Sequence, residues 1–294
     1  MTRRGWLLFS TMCVLWGIPY LLIKVAVDEL SPPVIVLART GIGALVLLPV
    51  AAVKGYLRPV LPRWRWLVAF AALEIASPWL LLTDAERYLT SSLSGLLIAA
   101  VPMVAAVASL VLGDEDRLDR TRVLGLGVGM GGVAVLLGLD LGGQVRAALE
   151  IALVVLGYGT APMIITRKFA DLPALGVIAA ALGLTAVGFA PAAAVSWPPR
   201  MPSGQVLASV LVLALACTVA AFLVFFQLIA EVGANRATVI TFVNPAVALL
   251  LGVLLLDEPV TAGLVLGFPL VLLGCVLATR NTAQSMPLPT VAEP

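Results

Sequence analysis

Sliding this chain along itself by 143 residues brings its landmarks into register without gaps, and that internal repeat constrains the fold more than any single motif. Pro19 falls on Pro162, Lys24 on Arg167, Asp28 on Asp171, Pro102 on Pro245, Asp114-Glu115 on Asp257-Glu258, and Gly131 on Gly274. Each copy holds five apolar runs. A unit with an odd number of spans inverts when it is repeated, and an apolar chain built from an inverted repeat is the usual construction of a secondary transporter. The expected fold class is therefore an all-α membrane protein with ten transmembrane helices arranged as two inverted five-helix repeats. The first repeat would cover residues 1–143 and the second 144–280, with 281–294 as a disordered, polar, proline-rich cytoplasmic tail.

Composition agrees with that class. Apolar residues are 61% of the 294 and charged residues 12%, where a soluble domain carries about 25% charge. Mean hydropathy is +1.10. A net charge of +2 spread over loops gives no footprint for nucleic acid. The chain has no histidine, the commonest metal ligand and general base. Cys13, Cys217 and Cys275 sit singly in apolar runs, which suits neither a zinc site nor a disulfide framework. No metal and no cofactor is expected.

At about 20 residues per span, the apolar runs read as helices over 6–27, 33–53, 66–84, 90–112, 121–139, 148–166, 173–195, 205–227, 236–256 and 260–279. The first run follows Arg3-Arg4, but it is too long for a signal h-region and ends in Lys24 and Asp28-Glu29, so it reads as an uncleaved helix. With the N-terminus in the cytoplasm, the inner segments hold Arg3, Arg4, Lys54, Arg58, Arg63, Arg65, Arg117, Arg120, Arg122, Arg167, Lys168, Arg236 and Arg280. The outer segments hold only Arg87, Arg146 and Arg200. This positive-inside bias puts both termini in the cytoplasm of a bacterial-type inner membrane. Trp6, Trp64 and Trp66 then fall at the inner boundary and Trp197 near the outer one, where amphipathic rings sit.

Trp16-Gly17-Ile18-Pro19-Tyr20 through Lys24, then Pro33 and Arg39, resembles the opening of EamA-type members of the drug/metabolite transporter superfamily. So does Pro102 through Leu112-Gly113-Asp114-Glu115 to Gly125 and Gly131-Gly132-Val133. The second copy carries Asn244-Pro245, Leu255-Leu256-Asp257-Glu258-Pro259, Gly267 and Gly274. The resemblance covers nearly the whole chain. It implies a ten-helix, exporter-like secondary transporter with a central cavity enclosed by both halves, in a family whose substrates range over amino acids, other metabolites and drugs. Arg39 belongs to the family pattern, whereas Glu74 does not.

The same motifs have a physical reading. A proline inside a helix removes one backbone hydrogen bond and kinks the helix, and in lipid the freed carbonyl needs another partner or a wet cavity. Pro19, Pro102, Pro162 and Pro245 are thus expected as paired kinks that shape the cavity or its gating. Glu115 and Glu258 each precede the last helix of a repeat, where a carboxylate complements the helix N-terminus, and Pro259 suits a first helical position. Gly125/Gly129, Gly127/Gly131 and Gly263/Gly267 have the GxxxG spacing of close helix contact, read as packing within the monomer with a dimer contact as the alternative.

Glu74 is the chemically loaded residue. Counted from Trp66 it lies about 12 Å into the third helix, where an acid costs roughly 2.5–3.5 kcal/mol to insert. It reads either as a proton carrier or counter-charge for substrate, or as a structural partner of Arg39 on the second helix. Lys24 reads as snorkelling to the outer interface, and Asp84, Glu86 and Arg87 as marking the outer water boundary, with Glu86-Arg87 facing the cavity mouth as the alternative. Further cavity candidates are Trp16, Tyr20, Trp79, Tyr158, Gln227, Thr241 and Asn244, whose rings and amides stack on or hydrogen-bond a small molecule.

No GxxxxGK[ST] phosphate loop and no hydrolase motif is present in the sequence, so transport is expected to run on a gradient or by exchange, and no enzyme activity is expected. The expected partners are a small-molecule substrate and the lipid bilayer, not nucleic acid, with the chain as monomer or homodimer. Export of a small metabolite such as an amino acid by alternating access is the leading reading, with efflux of drugs or lipophilic cations as the alternative.

Overall fold

The computed structural model describes residues 1–111, 120–140, 142–233, 237 and 239–279, and among these there are helices and no strands. Among the described residues nine helices are long and apolar enough to cross a membrane: α1 Arg3–Ala26, α2 Pro32–Val53, α3 Leu61–Ala85, α4 Ser91–Val111, α5 Arg120–Leu139, α6 Val145–Lys168, α7 Ala174–Val195, α8 Gly204–Val232 and α10 Ala262–Thr279. The shorter α9, Ile240–Leu255, completes the ten. Asp114, Glu115, Arg117, Arg236 and 280–294 lie outside the described residues.

Local chemistry sets several starts. Thr2 accepts from Gly5 N at the head of α1, Thr90 from Leu93 N at α4, Ser203 from Val206 N at α8, and Thr261 from Leu264 N at α10. Each hydroxyl satisfies an amide that has no partner in the first turn. At α2, Ser31 precedes Pro32-Pro33, and a proline in the first turn gives up no helical hydrogen bond.

The repeats pack against each other rather than apart. α2 lies along α7, α5 along α10, and the N-terminal part of α4 on α9; α1 meets α8 and α9, while α6 meets α3 and α4. Exchanging each helix with its repeat equivalent maps this pattern onto itself, as a two-fold relation between inverted halves requires. Glycines set the tightest of these contacts. A Cβ on Gly132 would meet Val271 N at 2.6 Å, one on Gly125 would meet Ala278 N at 2.5 Å, and Gly129 and Gly274 lie against each other. The GxxxG pair Gly125/Gly129 therefore joins α5 to α10 within the chain. Gly127 and Gly131, at the same spacing, face nothing within 4 Å; a helix presents only one stripe to one neighbour.

Two of the four expected kinks are interruptions. α1 breaks into Arg3–Gly17 and Pro19–Ala26, and α4 into Ser91–Ile98 and Val101–Val111 beside Pro102. At the second break Cys275 Sγ donates to Ala99 O (3.0 Å), supplying a partner at helix-interrupted backbone. Pro162 and Pro245 sit inside the continuous helices α6 and α9, so the helices are interrupted beside the prolines of the first repeat and not beside those of the second. A proline costs one bond, and packing on both sides can hold the remaining turns in line.

Both third helices of the repeats widen into π turns, Ala71–Ala76 in α3 and Leu215–Ala220 in α8. These positions agree with the repeat offset to within one residue. In α3, Ser77 Oγ donates to Ala72 O (2.6 Å), and in α8, Thr218 Oγ1 donates to Leu213 O (2.9 Å), each five residues back. Such insertions are rare and concentrate at functional positions. They carry Glu74 and the Cys217-Thr218 pair into the centre of the bundle.

Candidate substrate site

The π turn of α8 and the part of α3 that follows its own π turn meet α2 at Arg39, which is 7% exposed. Its Nε donates to Thr218 Oγ1 (2.9 Å), and its guanidinium lies 3.5 Å from the centroid of the Trp79 ring. Thr218 thus gives one oxygen to Arg39 while its proton goes to the π-turn carbonyl of Leu213. Among the described residues the two terminal nitrogens of Arg39 make no hydrogen bond and no carboxylate lies within ion-pair distance. Held at its inner edge and stacked on one face, the guanidinium presents two donors whose fork geometry matches a carboxylate.

Trp79 and Tyr20 are buried and Tyr158 is half-buried, and both phenols lie in the surroundings of Arg39. Tyr158 packs against both of the large apolar clusters and also interacts with Glu74. Glu74 is half-buried with Oε2 enclosed and unbonded. The expected Glu74–Arg39 pair is not formed. Arg39 bonds Thr218 of the other repeat through Nε and stacks on Trp79 of its own, and the Glu74 carboxylate stands apart, with Tyr158 beside both.

Other candidates go elsewhere. Trp16 packs edge-on to Phe222 (6.2 Å) and tilted on Phe225 (4.8 Å), tying α1 to α8. Asn244, with its amide nitrogen turned toward them, donates to Ile240 O (3.0 Å) and Cys13 O (3.3 Å) and links α9 to α1. Thr241 is half-buried on α9. Gln227 is exposed on a stripe of α8 shared with Leu223 and Ala230, outside the centre; its rotation about the helix, invisible in depth counting, decides that.

Three residues were misread or missed from sequence. Thr218 was not singled out, although it adjoins Cys217, the repeat equivalent of Glu74. Glu86 does not mark a water boundary: it is 0% exposed. Glu258 caps α4 rather than its own α10, accepting from Ser91 N (2.7 Å), Ser92 N (2.9 Å) and Ser92 Oγ (2.5 Å). Asp257 adopts φ 53°, and Glu258 N bonds Gly252 O (3.1 Å). This left-handed closure of α9 turns the carboxylate across to the other repeat, into space left by the missing side chain of Gly252. Lys24 donates to Glu86 O (2.6 Å) and Leu89 O (2.8 Å), so its ammonium binds protein carbonyls rather than simply reaching out to the interface.

A separate recess of about 360 Å³ lies at the face bearing the N-terminus, lined by Arg63, Trp66, Arg167, Lys168, Ala170 and Asp171. Arg63 spans Asp171 with both terminal nitrogens and also donates to Lys168 O. Arg39 is not among the residues that line this recess.

Ten apolar helices in two interlocked repeats around a buried cation define a multi-pass membrane transporter of the inverted-repeat class. The model of the EamA-like transporter family matches residues 3–138 and again 145–280, and the chain belongs to that family. It is similar to the uncharacterized transporter YvbV of Bacillus subtilis (strain 168), 29% identical over 292 residues that cover 96% of this chain and 93% of the relative. It is also similar to an uncharacterized transporter of Archaeoglobus fulgidus, at 25% identity over 95% of this chain and 99% of the relative. The uncharacterized inner membrane transporter YedA of Escherichia coli (strain K12) is 25% identical over 95% of this chain and 92% of its own length. A solved crystal structure with 21% identity superposes with a TM-score of 0.67 over 95% of this chain and 98% of that one, a likeness of fold.

Proposed function

We propose that the protein is a secondary transporter that exports small carboxylate-bearing metabolites, amino acids foremost, by alternating access between its two repeats. The observation that carries this reading is Arg39: a buried guanidinium, oriented by Thr218 and Trp79, with two donors unspent on the protein. A buried charge needs a partner, and a substrate carboxylate supplies one. Glu74, unpaired beside Tyr158, is placed to receive the ammonium of a zwitterion. Efflux of a lipophilic cation is the weaker reading. A second positive charge about 5 Å from Arg39 would cost about 3 kcal/mol at an effective dielectric of about 20.

The orientation that goes with this reading has both termini in the cytoplasm, from the distribution of Lys and Arg, and export as the direction follows the resemblance to exporter-like transporters. Transport rather than catalysis is favoured because a chain without histidine lacks the usual base to activate a nucleophile. The test is flux in sealed proteoliposomes preloaded with pooled amino acids, other carboxylates or lipophilic cations. Saturable efflux of a carboxylate that is lost in Arg39→Gln supports the reading. Saturable flux of cations that survives Arg39→Gln overturns it.

A further inference from the structure

Glu86 is the most deeply buried acid among the described residues and has no role in the Arg39 site. It follows α3 directly, at the face opposite the N-terminus, and its exposure is 0%. Both carboxylate oxygens are enclosed and neither has a hydrogen-bond partner. The nearest cation does not rescue it. Lys24, from the end of α1, spends its ammonium on two backbone carbonyls, one of them that of Glu86 itself. Glu258, from the turn after α9, adds a second carboxylate close by, held on the N-terminus of α4.

The other ionisable groups around it are placed as follows. From α1, Tyr20 interacts with Glu86 along with Lys24. On its own segment Asp84 pairs with Arg87 (3.1 Å) and with Arg146 of α6 (2.5 Å), which also holds Glu150 (2.8 Å). Those four form a closed set among themselves. Glu86 is left with one cation engaged elsewhere and one like charge.

An ionised carboxylate enclosed without donors is among the most costly arrangements a protein can hold, and neutralisation is the usual escape. Burial pushes the Glu86 carboxyl well above the ordinary carboxylate range; the Lys24 ammonium opposes this and the Glu258 carboxylate adds to it. The surroundings of Glu86 include one contact between the repeats: Glu258, from the second repeat, lies near it while bound to the N-terminus of α4 in the first. Any movement that separates the repeats at this face lets water reach the carboxyl.

We propose that Glu86 is a proton-binding site that latches the two repeats at the face opposite the N-terminus, closed when the carboxyl is protonated and released when it gives its proton to water. The step is the transfer of one proton: closed carboxylic acid to open carboxylate plus hydronium. The closed form binds the proton more tightly than the open, hydrated form, so acid favours closure and rising pH favours opening. On an outward-directed face, an external proton would close the gate from outside.

The experiment needs no substrate, so its failure is separate from any failure of the transport reading. Nitroxides are placed on Tyr88→Cys and Val260→Cys, which are exposed in the two repeats at this face, while the native cysteines are buried. Distances are measured by pulsed electron resonance on the full chain in nanodiscs from about pH 5 to about pH 9. The expected result is a closed-to-open ratio that falls by up to about tenfold per pH unit, the limit for one proton. Glu86→Gln, neutral throughout, is expected to stay closed and abolish the titration. Lys24→Gln removes the opposing cation and is expected to move the midpoint to higher pH, which a purely structural role for Glu86 would not do. A wild-type distance unmoved by pH, a Glu86→Gln protein that titrates like wild type, or a Lys24→Gln midpoint that stays or falls would each overturn the proposal.

Discussion

Replacing Glu258 with alanine removes the bridge by which the turn after α9 reaches the N-terminus of α4. The carboxylate accepts from two backbone amides and one hydroxyl at 2.5–2.9 Å, and the residue is 9% exposed. The Ser92 hydroxyl can rotate to another acceptor, but the amides of Ser91 and Ser92 cannot. Each buried amide left unpaired costs about 1–3 kcal/mol, so the loss is about 2–6 kcal/mol, nearer the lower end where water follows. Glu258→Gln keeps one acceptor oxygen and is expected to lose about half as much, including about 0.3–1 kcal/mol of charge–dipole attraction. The assay is unfolding of the solubilised protein by graded SDS, with Thr261→Ala as comparison. If Glu258 were the cap of α10, Thr261→Ala would be silent; from its bond to Leu264 N (3.2 Å) it should cost about 1 kcal/mol. A Glu258→Ala protein within about 0.5 kcal/mol of wild type, the range of an ordinary surface change, would refute the assignment.

Three further outcomes test other parts of the structure. Arg39→Lys keeps the charge but loses the fork, and forfeiting hydrogen bonds worth about 1.5–3 kcal/mol should lower transport kcat/KM by about ten- to a hundredfold; Thr218→Val, which frees Nε, should lower it less. Gly129→Leu would drive a side chain into Met103 and Gly274 and should destabilise the fold by about 1–3 kcal/mol or more, read in the same SDS titration. Gly127→Leu, with nothing within 4 Å, should leave stability within about 0.5 kcal/mol and the protein's mass in detergent unchanged; a fall to half the mass would instead reveal a dimer contact through that stripe.

The candidate site was legible in its depth but not in its pairings. Depth is a linear quantity: about 1.5 Å of rise per residue is enough to single out Arg39, Glu74 and Trp79 as lying well inside their helices. Pairing depends on rotation about each helix and on which helices adjoin. Arg39 meets Thr218 from 179 positions away because α8 of the second repeat lies against α2, so the nearer acid Glu74 was the wrong partner to expect. The π turns also escaped the sequence reading, since one residue gained in a helix leaves its hydropathy unchanged while rotating everything that follows.

From sequence alone came the class of protein: ten apolar runs, each long enough or nearly long enough to span, in two copies related by a fixed offset of 143. Those features survive projection onto one dimension because hydrophobic length and internal repetition are properties of the chain itself. Tertiary structure decided what each polar residue faces. It sent Gln227 outward, bent Glu258 across to α4, sealed Glu86 without a partner and left Arg39 with two free donors. All four follow from the interlocking of the repeats, where each helix packs mainly on the other half. The energy of a buried polar atom is set by its neighbours in space, not in sequence.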